Sequence, residues 1–102
     1  MSTGALQITL HELCECVEIP EDVVLTAVEH DVITPLPDAS DGQWVFDTVT
    51  VIWLRKAVHL RRDLDLDWVA IAMVIDLLRE REALDREIQG LKERLQRLTD
   101  NA

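Results

Sequence analysis

The sequence predicts a mostly α-helical fold in which two short helices, a small β-hairpin and a third helix form one unit, extended by a long C-terminal helix. Three observations carry that expectation. Apolar residues recur every three or four positions in four separate segments. One stretch, TPLPDASDGQWVFD, interrupts them with two prolines, a polar tip and an apolar strand. Beyond Leu77, leucines return at every seventh position.

The first helix lies in TLHELCECV, where Leu10, Leu13, Cys14 and Val17 fall at helical spacing. Thr9 is its N-cap, and Glu12 three residues on completes a capping box. After a short turn, EIPEDVVLTAVEHDVI forms the second helix. Pro20 takes its first helical position, and Glu21 and Asp22 sit in the first turn, where the helix dipole favours acids. Val24, Leu25 and Val28 form its inward stripe. The hairpin follows, with DASDG as its tip and Trp44–Val45–Phe46 as a strand. From Asp47, an N-cap candidate, TVTVIWLRKAVHLRRD runs as the third helix. Val51, Leu54, Val58 and Arg61 lie on one side of it, and Ile52, Trp53, Ala57 and Leu60 widen the buried arc. DLDLD breaks the chain, and Asp67 caps a last helix from Trp68 to about Leu98. Residues 1–66 are thus expected to form the helix–turn–helix unit and residues 67–102 a dimerisation helix, together one compact unit.

Leu77, Leu84, Leu91 and Leu98 repeat by seven, with Val74, Ile88 and Leu95 in the companion register and Arg81 as the one polar intruder. A helix projecting from its domain cannot bury such a seam there, so the seam predicts a second copy of the chain. Glu80 and Glu87 give way to Lys92 and Arg94 toward the C-terminus, which favours an antiparallel coiled-coil dimer. The competing reading folds this helix back on its own domain. Gly90 falls outside the seam and costs only about 1 kcal/mol of helix propensity.

The formal charge of −10 is unevenly placed. Residues 1–54 hold ten acids and no lysine or arginine, whereas residues 55–102 hold ten acids and all ten bases. Affinity for nucleic acid comes largely from cations that neutralise phosphates, so this distribution argues against it and points to a basic protein partner. The candidate contact surface is Glu21, Asp22, Glu29 and Asp31 on the second helix and its exit, with Trp44 and Asp47 from the hairpin strand. Against it stands an ordinary solvated face, with Trp44 and Phe46 serving to hold the hairpin on the core. A second candidate, RRDLDLDW, sets Asp63, Asp65 and Asp67 beside Trp68, and it reads equally as caps around a sharp turn.

Catalysis and metal binding find no support. His11, His30 and His59 stand singly, and no glycine-rich phosphate loop occurs. The alternating aspartates lack the glycine and glutamate of a calcium loop. Cys14 and Cys16, two apart in one helix, point to nearly opposite sides and cannot bridge each other. No enzyme activity, cofactor, metal or small-molecule substrate is expected. Without a signal peptide or an apolar run of roughly 20 residues, the expected setting is the cytoplasm, away from membranes.

The order of elements is similar to that of the MerR-type regulators, a winged helix–turn–helix family. DVITP resembles their glycine-leucine-leucine-threonine-proline exit, and GQWVFD resembles their glycine-tyrosine-arginine-aliphatic-tyrosine wing strand. The likeness spans roughly residues 8–98. It implies a MerR-like fold without the family's DNA contacts. The early arginine of helix two falls on Leu25, the tyrosine pair on Thr26 and Ala27, the later arginine on Glu29 and the wing arginine on Trp44. Six phosphate contacts would shift log K by about five units per decade of salt, and here those positions offer repulsion or nothing. WVFD, KAVHLRRDLDLDW and the aliphatic helix after them look like a closer group, the chaperone modulator family CbpM. That resemblance implies a homodimer that binds the J-domain of the co-chaperone CbpA, whose second helix is basic, and blocks its stimulation of the Hsp70 chaperone DnaK. The alternative function is that of a MerR-like transcriptional regulator binding DNA.

Overall fold

The computed structural model describes residues 6–37 and 43–101. In chain order these form β1 (Gln7–Thr9), α1 (Leu10–Val17), α2 (Glu21–Glu29), β2 (Val45–Asp47), α3 (Val49–Leu64) and α4 (Trp68–Asp100). The fold is the mostly helical one expected, with a two-stranded sheet and a long C-terminal helix.

Local chemistry sets most of the boundaries. The Thr9 hydroxyl accepts the Glu12 N–H at 3.1 Å, and the Glu12 carboxylate accepts the Thr9 N–H at 2.8 Å, which closes the capping box of α1. Glu18 ends α1 in the left-handed conformation, φ 59°. Pro20 is the N-cap of α2, one place before the position expected for it. The N-cap of α3 is Thr48 rather than Asp47; Asp47, the last residue of β2, accepts the Val49 N–H on its carboxylate at 2.8 Å from one place earlier. The Asp67 carboxylate accepts the Ala70 N–H at 2.8 Å and starts α4.

The sheet departs from the hairpin expectation. β2 pairs antiparallel with the N-terminal β1, Ile8 opposite Phe46, while the other arm of the presumed hairpin, residues 34–37, forms no strand. That arm places one backbone bond on β2, from the Leu36 N–H to the Val45 carbonyl at 2.8 Å. Pro35 and Pro37 on either side hold φ at about −65°, away from the more extended value of a paired antiparallel strand. The DASDG tip lies outside the described residues.

The core draws Leu13 and Val17 from α1, Val24 and Ala27 from α2, Val32 and Ile33 from the exit turn, and Phe46 from β2. Trp53, Leu54, Ala57 and Val58 of α3 and Ile71 and Ile75 of α4 complete it. Ala27, absent from the expected stripe, is fully buried, whereas Leu25 is only half-buried. At 100° per residue, Val24, Ala27 and Val28 share an arc that leaves Leu25 on its flank. Ile52 is exposed for the same reason, lying across α3 from Leu54. Arg61 has the right phase but stays exposed, its guanidinium 5.5 Å from the Trp68 ring centroid.

Two arginines fasten the helices. Arg55 of α3 donates to the Cys16 carbonyl at 2.8 Å, and Arg79 of α4 donates to the Val32 carbonyl at 2.6 Å while lying 5.2 Å from the Trp53 ring centroid. Beyond Arg79, α4 leaves the body: every residue from Glu80 to Asp100 except Gly90 is exposed. The radius of gyration of 17.2 Å reflects this projection, since a compact chain of this length would have about 13 Å. Among the described residues, no helix is long and apolar enough to cross a membrane.

Candidate functional site

Glu21, Leu25 and Glu29 follow one another at four-residue steps along the outward side of α2, with Asp22 beside them. The three acids are exposed, and among the described residues no lysine or arginine pairs with them. Four bases near the body have other partners, while Arg62 lines a cleft with Pro20 and Val23 at the start of α2. Arg55 and Arg79 hold backbone carbonyls, Arg61 lies over Trp68, and Lys56 sits 4.9 Å from the Trp53 ring centroid. The negative charge of the α2 acids therefore reaches solvent without a direct ion-pair partner among the described residues. Cys14 registers it: burial, and then the charge of Glu21, push its thiol pKa above the ordinary value.

An open groove of about 510 Å³ runs between the start of α1, the α2 face and the residues leading into β2. Leu10, Leu25 and Trp44 give it apolar walls, and His11, Glu21 and Gln43 add polar groups. Trp44 is held edge-on to the buried Phe46, with ring centroids 6.3 Å apart and planes at 84°. It is only half-buried and lines the groove.

The six contact candidates thus separate by place. Glu21 shares the groove with Trp44, and Asp22 and Glu29 share the helix face. Asp31 lies in the exit turn with φ 58°, at the position where the resemblance has glycine. The Asp47 carboxylate is occupied by the Val49 N–H. Leu25 was placed inward by its sequence spacing; its phase between Glu21 and Glu29 is the signal that marks it as a surface residue. In the second candidate stretch, Asp65 ends α3 with φ 53° and Asp67 caps α4, while Trp68 stacks on His30 with centroids 6.3 Å apart. These are local structural roles. Among the described residues, no three histidine, cysteine or acidic side chains gather as metal ligands.

A second surface lies on α4. Leu77, Leu84, Ile88, Leu91, Leu95 and Leu98 are between 49% and 69% exposed. Val69 and Met73, exposed to a similar degree, continue this line toward the helix start at the same four-residue step. Arg81–Asp85 and Arg86–Glu82 pairs flank it. An isolated chain rarely leaves so long an apolar stripe open to water.

Residues 8–93 match the model of the MerR HTH family of regulatory proteins. The chaperone modulatory protein CbpM of Pseudomonas entomophila (strain L48) is 35% identical over 98 residues, covering 96% of each chain. The proteins of the same name from Citrobacter koseri and Escherichia coli O1:K1 are 35% identical over 87% of each chain and 32% identical over 95% of each chain. The chain belongs to the CbpM family, within the MerR-type helix–turn–helix regulators. These relatives are named as modulators and regulators, not as enzymes. In this CbpM-family chain, the helix that corresponds to a DNA reader thus presents acids and a leucine, with Trp44 from the segment before β2 lining the same groove.

Proposed function

We propose that this protein is a cytoplasmic chaperone modulator that binds the J-domain of a CbpA-like co-chaperone and inhibits its stimulation of the Hsp70 chaperone DnaK. The relatives' names support the first part of that reading. The observation that carries it to a basic partner is the α2 face, where Glu21, Asp22 and Glu29 stand exposed and, among the described residues, form no ion pair with a lysine or arginine. Such a surface attracts a basic helix by opposite potential and repels DNA. Two copies associate through the seam of Leu77, Leu84, Ile88, Leu91, Leu95 and Leu98, antiparallel, so that Glu80 near the start of one seam faces Arg94 near the end of the other. The body of residues 1–66 then supplies the contact and residues 67–102 the pairing.

The test is a steady-state DnaK ATPase assay with the matching J-domain protein. Added in excess, this chain returns the stimulated rate to the basal rate and leaves the basal rate alone. Undiminished stimulation would refute the reading, and a shift of duplex DNA at physiological salt would replace it with transcriptional regulation.

A further inference from the structure

The acids on α2 account for attraction but not for retention, because exposed charge pairs are weak and are screened by salt. Retention needs desolvated apolar area, and one place beside those acids provides it. Leu10, Leu25 and Trp44 come from three separate elements, converge on one groove and are each left half-buried by the protein's own core. We propose that this groove is the anchor point of the partner: it takes one apolar side chain from a basic helix laid along α2. This inference rests on the reading given under Proposed function and names the part of that surface where binding energy concentrates.

Helix geometry defines the recognised pattern. Glu21 and Glu29 are eight residues apart, which is about 12 Å along α2. Cations seven residues apart on a partner helix are separated by about 10.5 Å, so the two rows of charge stay nearly in register. Leu25 stands midway between the two acids. The partner residue above it is therefore midway between the cations, three or four positions from each, and on the same helical face. The recognised element is a helix reading basic, apolar, basic at steps of three or four. Charge complementarity selects it, since the groove offers Glu21 and no lysine or arginine.

The experiment uses the full-length chain and the purified J-domain of its co-chaperone. The protein has three tryptophans, Trp44, Trp53 and Trp68, so labelling with 5-fluorotryptophan yields three fluorine resonances. Titration of the wild-type chain should shift the Trp44 signal and leave those of Trp53 and Trp68 in place. Leu25→Asn and Trp44→Ala should each weaken binding at least tenfold without changing its salt dependence, because every charge is retained. A bound complex with an unmoved Trp44 signal, or wild-type affinity in both folded variants, overturns the anchor and leaves the J-domain reading standing. Should a variant fail to fold, the wild-type fluorine shifts decide alone. No binding of the wild-type chain to the J-domain removes both. A Trp44 shift produced by spermidine but not by the J-domain would give the groove to a small cation and overturn the proposal.

Discussion

Ile71 and Ile75 and the aliphatic residues of the stretch 84–98 belong to one unbroken helix, recur at three- and four-residue steps, and meet opposite fates. Ile71 and Ile75 are fully buried, while Leu84, Ile88, Leu91, Leu95 and Leu98 stay about half exposed or more. Face and length both differ: Ile71 and Ile75 lie on the side of α4 packed into the core, whereas Met73 and Leu77, on the stripe that continues through Leu84 to Leu98, are each 64% exposed. α4 has 33 residues and the helix before it, α3, has 16, so α4 overshoots by 17 residues, or about 25 Å. The near part finds α3 and the exit turn waiting, and Arg79 locks it there through the Val32 carbonyl. Among the described residues, nothing of its own chain covers the far part. Apolar periodicity marks a face that must be buried, and docking geometry decides what buries it.

That contrast is open to attack at both ends. The largest effect belongs to Ile75→Asp, which places an unpaired carboxylate in the core. It should cost about 4 kcal/mol or more and abolish the near-ultraviolet circular dichroism of the tryptophans. A folded variant would mean that near and far α4 do not differ as described. Ile88→Asp combined with Leu95→Asp should instead halve the mass seen by light scattering while the tryptophan spectrum of the body persists. Dimers that survived this pair of changes would move the interface off the seam.

Smaller effects sharpen the difference in charge between the two regions. Asp22→Lys with Glu29→Lys should weaken J-domain binding roughly tenfold, about 1.4 kcal/mol, mainly by slowing association, and should flatten its salt dependence. Reversal of Glu93 and Asp100 on distal α4 is the control, since those acids lie away from the body. Asp31→Gly should raise stability by about 0.5 kcal/mol, because glycine adopts φ 58° without the Cβ penalty. Chemical denaturation reads the gain. An accompanying fall in partner affinity would turn Asp31 from a turn residue into a contact.

Much of the architecture was legible before the structure. The capping box of Thr9 and Glu12, the Asp67 cap and the α4 heptads depend on residues a few positions apart, so they are written locally. The charge partition was equally plain, and so were the acids now found on the α2 face. The groove was not. Leu25 reads as a core residue by hydropathy, and only the arc formed by Val24, Ala27 and Val28 displaces it to the flank, where it meets Trp44 from a segment about 19 residues later. Trp44 in turn is positioned by Phe46, and Phe46 by a strand partner that the N-terminal residues gave no reason to expect.

By itself the sequence determined which stretches are helical, where they start, where negative charge collects and which stripes must leave water. Those properties arise from interactions between near neighbours and from composition. The tertiary structure alone decided that β1 rather than the proline arm completes the sheet, that α4 is covered only as far as Arg79, and that three half-buried apolar side chains meet beside Glu21. Each of these requires segments distant in the chain to come together, and the free energy that selects among such meetings belongs to the whole packed core.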